Sequence, residues 1–386
     1  FLNRISADIY CPVNQKSVEQ GEGWEKRPET FICNGPFKLA EYQIGSHILM
    51  VKNDAYYDAD NVKLAGIRAI MVNDENTSLQ GYRAGEIHAT EIIPAEEVPQ
   101  LLATDPNLIV TPIAGTKYLD FNVDRDVVNN VLVRRALTLA INRKEITDQI
   151  TRSGETPATG YLPISSQKTD GTSYRAVDAN GLPEPAYGIS CDSADVETAQ
   201  ALLAEAGYPN GEGFPQLELL YYTGESDKKV CEAIQQMWKE NLNIDVQLRN
   251  EDKNVALQTK RDGKYDISLS GWSAGYYDAS QMFKQFNLDA GCMAQWRYAE
   301  DASAPHDHTL NPGQEPFEKT YQAAMAAQGT ERDQLWTECE EYLMEDMPVC
   351  PLYYYVFKAL INEDVVSGIQ ITKGGNWIFR NAELIA

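Results

Sequence analysis

Between residues 195 and 278 the spacing of apolar residues switches repeatedly between helical and strand periods. Val196, Ala199, Leu202, Leu203 and Ala206 fall on one helical face, with Ser193 or Asp195 as cap and Gly207 as stop. Leu217, Leu219 and Leu220 open a short strand. Val230, Ala233, Ile234, Met237 and Trp238 return to helical spacing. Ile244, Val246 and Leu248 alternate, the mark of a half-buried strand, and 265–270 reads as another strand. Strands alternating with helices predict an α/β fold with right-handed crossovers. Two loops, 222–229 and 271–279, then leave the carboxyl ends of neighbouring strands, where open α/β sheets bind ligands.

The flanking regions are less regular. Strands are predicted around 48–52 and 67–72, a tyrosine-bearing turn at 53–61 and a helix at 75–84. Residues 152–192 lack helical periodicity and are rich in Gly, Pro and Ser, which predicts a long surface excursion. Residues 299–316 also read as loop. Helices resume at 316–328 and 331–347, and 348–357 carries an aromatic strand with Tyr353, Tyr354 and Tyr355. The acidic run Glu338–Glu341 reads as a solvated helix face, and His47 and His88 as surface residues.

Composition narrows the function. The 386 residues suffice for two or three domains. With 57 acidic and 33 basic residues the formal charge is −24, which disfavours nucleic-acid binding. No apolar run reaches the ~18 residues of a membrane span. No stretch of these residues reads as a secretion signal, and Phe1-Leu2-Asn3 is not expected to be a natural start. Cys11, Cys33, Cys191, Cys231, Cys292, Cys339 and Cys350 are odd in number, so at least one thiol is unpaired within the chain; Cys231 is expected as a small core residue. Their spacings do not suggest zinc, and His306 with His308 could bind a metal but no nearby Cys, Asp or Glu completes a geometry. There is no Walker loop and no cofactor motif.

One motif suggests an enzyme. Gly271-Trp272-Ser273-Ala274-Gly275 follows a predicted strand and matches the G-x-S-x-G nucleophile elbow, with Asp301 and His306 or His308 in the right order to complete a triad. Against it, both histidines sit in a polar, loop-like segment, a poor platform for a triad.

Several words of sequence, taken in order, resemble the oligopeptide- and dipeptide-binding group of extracellular solute-binding proteins of ABC importers. They are Asn34-Gly35-Pro36-Phe37-Lys38-Leu39, Tyr82-Arg83-Ala84-Gly85-Glu86-Ile87, Gly115-Thr116-Lys117-Tyr118-Leu119-Asp120-Phe121-Asn122, Val133-Arg134-Arg135-Ala136-Leu137 with Ala140-Ile141-Asn142-Arg143, Pro157-Ala158-Thr159-Gly160-Tyr161 and Ala206-Gly207-Tyr208-Pro209. The resemblance implies a two-lobe periplasmic-binding-protein-like fold of class II, the large peptide-binding type. It places 1–114 in a partial lobe I, 115–354 in lobe II and 355–386 back in lobe I, with part of lobe I and its extra domain missing from this chain. It implies a non-enzymatic, monomeric protein, extracytoplasmic or lipid-anchored at the outer face of the cell membrane. Such a protein encloses a short peptide between its lobes and delivers it to a permease with ATPase subunits, with no cofactor.

The same resemblance sets the expected ligand residues: the loop residues Trp272, Ser273, Gly275, Tyr276, Tyr277 and Asp278, then Tyr222, Asp227 and Lys253, and Tyr118, Asn122 and Tyr354. Trp272, Tyr276 and Tyr277 offer aromatic contact area, or Trp272 fills core. Tyr118 and Asn122 either bond an extended peptide or pack within their strand. Lys260 or Arg261 is expected to pair with a ligand carboxylate, or to lie on a solvated face. Where most peptide-binding members carry an Asp that pairs with the peptide ammonium, this chain has Gly275. Asp278 or Asp227 is then the expected substitute. Tyr222, Asp227 and Lys253 also depart from the family pattern, so a non-peptide ligand such as a nickel chelate or a glycan is the alternative within the family.

Overall fold

A computed structural model of the chain describes residues 11–288, 294–297, 311–372 and 374–385. It divides into two compact units, one formed by the chain up to Thr111 with Phe357–Ala386, the other by Pro112–Val356.

In the first unit, strands β1 (Phe37–Gln43), β2 (His47–Lys52) and β3 (Gly66–Ile70) form an antiparallel sheet in that order. Gly45 has φ +73° and turns the chain between β1 and β2, a conformation costly for residues with a Cβ. His47 is buried rather than on the surface, and its Nε2 lies 3.0 Å from Glu41 Oε2. A lone histidine in a strand gives no sign of that cross-strand partner. Helix α1 (Glu75–Arg83) starts at Asp74, whose side chain accepts the Thr77 amide at 2.7 Å. Strand β4 (Ala89–Thr90) pairs with Leu360 and Ile361. Leu79 and Tyr82 of α1 pack with Ile93, with Val98 and Leu101 of α2 (Val98–Thr104), and with Leu360.

Strands β5 (Leu108–Phe121) and β10 (Val349–Ile361) each run from one unit into the other. In the second unit β6 (Thr156–Pro157) pairs with β10. The sheet there continues β10-β5-β9-β7-β8, with β7 (Leu217–Tyr222), β8 (Val246–Glu251) and β9 (Ile267–Ser273). β7 is parallel to both β8 and β9, and β5 is antiparallel to β9. The carboxyl ends of β7, β8 and β9 therefore share one edge with Gly115 and Lys117 of β5, which pair with Ser273 and Gly271.

The helices of this unit are α3 (Val131–Leu139), α4 (Val196–Glu205), α5 (Glu225–Leu242), α6 (Lys253–Arg261), α7 (Ala279–Phe283), α8 (Gln314–Ala326) and α9 (Gly329–Asp346). Asp195, not Ser193, caps α4 by accepting the Thr198 amide at 3.1 Å. Helix α5 begins inside the expected 222–229 loop, with Glu225 and Asp227 in its first turn, where negative charge favours the helix dipole. The core joins Leu119, Phe121, Leu219, Ile267 and Leu269 of the sheet to Trp238, Trp296 and Trp336. Cys231 is buried in that core, and burial pushes its thiol pKa up. The described cysteines Cys11, Cys33, Cys191, Cys231, Cys339 and Cys350 are free thiols.

The 152–192 stretch is not simply a surface excursion. Tyr161 and Leu162 are fully buried, and Arg175 is buried against Glu340 of α9. Glu340 also accepts the Leu162 amide at 2.7 Å and the Tyr187 hydroxyl at 3.3 Å. One member of the acidic run in α9 is thus an interior anchor. Its partners are remote in sequence, so local pattern does not reveal them.

Candidate functional site

The edge of the second unit's sheet owes its shape to two glycines. Gly115 on β5 and Gly271 on β9 sit two register positions apart, with the pair of Thr116 and Trp272 between them, and the ring of Tyr355 lies against both. A side chain at Gly271 would strike the Tyr355 hydroxyl, and one at Gly115 would meet the same ring and lie 2.9 Å from Ser273 Oγ. Tyr355 is half-buried, and burial followed by the charge of Asp227 raises its pKa.

This placement differs from the expected one at Tyr354. Tyr354 is fully buried, with its hydroxyl donating to the Gly160 carbonyl at 3.0 Å. Alternation along β10 puts Tyr353 and Tyr355 on the other face, and Tyr353 is buried while Tyr355 is partly open. The sequence signal for Tyr355 was the pair of glycines, Gly115 on the strand beside β10 and Gly271 on the next strand over.

Tyr118 and Asn122 are interior as well. The Tyr118 hydroxyl donates to Gln285 Oε1 at 2.7 Å. The Asn122 amide donates to the carbonyls of Gly263 at 2.9 Å and Tyr265 at 2.8 Å. Both side chains serve the packing of the unit, the second of the two readings left open for them. Lys260 is interior too, donating to Asp120 and Ser270, so it does not face a ligand carboxylate.

The remaining expected residues gather at the edge. Tyr222 ends β7, half-buried, with its pKa pushed up to about 12 by burial and then by Asp120 and Asp227. Lys253 starts α6 and is exposed. Trp272 is half-buried; its indole N–H donates to the Gln281 carbonyl at 2.5 Å, which fixes the ring over the start of α7. Ser273 and Gly275 are exposed, and Tyr276 and Tyr277 are half-buried. Burial raises the Tyr277 pKa, against a hydrogen bond with Ser165.

Two acids complete the edge, each held by a cation of the protein. Asp227 accepts Lys117 Nζ at 2.5 Å, and Lys117 was not among the expected residues. Asp278 caps α7 through the Ser280 amide at 2.9 Å and accepts Arg332 at 2.7 Å. Burial by itself raises the Asp278 pKa; the hydrogen bonds from Arg332 and Ser280 and the Arg332 charge outweigh it and hold the carboxyl below its usual range.

The nucleophile-elbow reading meets a different geometry. Ser273 is the last residue of β9 and pairs with Gly115, and the next helix starts only at Ala279. An elbow requires a sharp strand-to-helix turn at the serine. Asp301, His306 and His308 lie outside the described residues. Among the described residues no group of His, Cys, Asp and Glu is placed to hold a metal ion. No described helix is long and apolar enough to cross a membrane.

Parallel strands with helices between them and an aromatic loop at their carboxyl ends make an α/β architecture of the kind that binds ligands at the strand ends. The chain belongs to the bacterial extracellular solute-binding proteins, family 5, whose model matches residues 2–292. It is 29% identical to the oligopeptide-binding protein OppA of Bacillus subtilis over 99% of this chain, and 31% identical to the dipeptide-binding protein DppE of the same organism over 95%. Those alignments cover 66% and 63% of the two relatives, so the chain spans a little under two thirds of their length. Solved structures agree in fold. The murein tripeptide-binding protein MppA of Escherichia coli superposes with a TM-score of 0.78 at 26% identity, over all of this chain and 70% of that one. Haemophilus influenzae OppA, in complex with the peptide RPPGFSPFR, gives 0.75 at 26% identity, over all of this chain and 71% of that one. The fold is that of the periplasmic peptide-binding proteins.

Proposed function

We propose that this chain belongs to the solute-binding component of an ABC importer and captures short peptides. The observation that carries the reading is the aromatic edge of the second unit, where Tyr222, Trp272, Tyr276, Tyr277 and Tyr355 stay partly open at the carboxyl ends of the strands. Rings of this kind give large contact area at low entropic cost and suit ligands of varied side chains. The relatives' names, oligopeptide- and dipeptide-binding, point the same way.

In this reading no bond is made or broken. The ligand rests on the aromatic edge, and it favours one conformation of the protein over another only through its greater affinity for that conformation. The membrane permease recognises the ligand-bound form on the outer side of the cell membrane, and ATP hydrolysis belongs to its partner subunits. The residues proposed to touch ligand are Trp272, Ser273, Gly275, Tyr276, Tyr277 and Tyr222, with Tyr355 added. A thermal-shift assay with a mixture of short peptides tests this. Peptides should raise the unfolding temperature of the parent and have little effect on Trp272→Ala. Equal stabilisation of both proteins would remove Trp272 from the site, and no stabilisation of either would reject the peptide reading.

A further inference from the structure

Asp227 and Asp278 at the candidate edge are already committed to cations, and Glu155, whose charge also reaches Tyr355, is held by the Thr151 hydroxyl and the Ser153 amide, each at 3.0 Å. Asp227 and Asp278 have side-chain exposures of 20% and 19%, and their partners Lys117 and Arg332 are comparably buried at 9% and 21%. Glu251, at the end of β8, is engaged by Arg249. Partly buried pairs are weakly screened, and separating one leaves an uncompensated charge in a poorly solvated place. An incoming ammonium would have to displace Lys117 or Arg332 while meeting the positive charge of each at close range. Lys253, exposed at the same edge, adds to that field. Glu225 is exposed, and an ion pair in that setting contributes little. The overall charge of −24 attracts cations at long range, but it is screened beyond about 8 Å at physiological salt, so the committed pairs decide what binds at contact.

We infer that this edge selects peptides whose end lying there carries no positive charge, such as amino-terminally acylated chains. The inference rests on the peptide reading proposed above. Gly275 offers a direct way to reverse it. The residue is exposed, its backbone is not in the left-handed region, and a Cβ there would meet only Gln281 Oε1, at 3.8 Å. A carboxylate added at 275 has room and would leave both existing pairs intact.

The experiment is isothermal titration of the full-length protein with two otherwise identical libraries of short peptides, one with free amino termini and one N-acetylated. The acetylated library should bind about tenfold tighter, and Gly275→Asp should move the preference toward free amines by about the same factor. Free-amine peptides binding the parent as tightly as acetylated ones, or more tightly, would overturn the inference and leave the peptide reading standing. An unchanged preference in a folded Gly275→Asp protein would likewise overturn the assignment of selectivity to this edge. Binding of neither library would overturn the peptide reading itself, and the inference with it.

Discussion

Replacing Lys260 with Met removes the charge that balances Asp120 inside the second unit. Asp120 is fully buried and Lys260 nearly so. In the parent, Asp120 Oδ2 accepts the Lys260 ammonium and the Ser270 hydroxyl, the latter at 2.7 Å, while Oδ1 has no partner among the described protein groups. Loss of the ammonium leaves a buried carboxylate with one hydrogen bond, from a neutral hydroxyl, worth about 1.5–3 kcal/mol. Breaking a buried pair by removing one partner costs about 3–5 kcal/mol, and the Ser270 hydrogen bond, present in both proteins, does not offset it. Lys260→Met should therefore lower the stability of this unit by about 3–5 kcal/mol. Adding Asp120→Asn, which removes the stranded charge, should return most of that loss.

Urea unfolding followed by tryptophan fluorescence is the assay. Four of the six tryptophans, Trp238, Trp272, Trp296 and Trp336, lie in Pro112–Val356, so the signal reports mainly on the unit that contains the pair. Two units argue against assuming one two-state transition, and the comparison is made on the transition that carries the fluorescence change. A Lys260→Met protein within about 1 kcal/mol of the parent would refute the reasoning, since it would mean that Asp120 is solvated or neutral as it stands.

Two further outcomes are expected. The Asp278 carboxyl is held below its ordinary value of 3.8, so its pairing with Arg332 stabilises the fold above that value and the contribution is lost as pH falls through the lower folded value. The stability difference between the parent and Asp278→Asn should be steady at neutral pH and shrink below about pH 4; a difference that grows on acidification would contradict the direction of the shift. Gly271→Val should push Tyr355 off the edge and weaken peptide binding by about tenfold or more while the chain stays folded by circular dichroism; unchanged titration would show that the ring over Gly271 does not shape the site.

Local order was legible where residues close in sequence settle the structure. The helical spacing from Val196 to Ala206 and from Val230 to Trp238, the alternation at Ile244, Val246 and Leu248, and the Asp195 cap each concern near neighbours. What escaped depends on distant partners. Glu340 looked like one of several solvated acids, but Arg175 and Leu162 reach it from about 165 and 178 residues away. Lys117 and Asp227 are 110 residues apart, and nothing near either one announces the pair. Tyr354 and Tyr355 are adjacent and alike in type. Which of them faces the interior is set by the strands beside β10, and the glycines at 115 and 271 leave room for Tyr355 alone. At the edge, strand order brought together the 271–279 loop, Tyr222 and Lys253, whereas side-chain hydrogen bonds drew Tyr118 and Asn122 inward.

The central claim is that a short peptide occupies the aromatic edge. Its most direct test is mass spectrometry of small molecules released by denaturing the full-length protein as purified from its native host. The account predicts short peptides of mixed sequence, depleted in the Trp272→Ala protein. Recovery of a single non-peptide solute, lost from the same variant, would keep the edge as a binding site and contradict the peptide assignment.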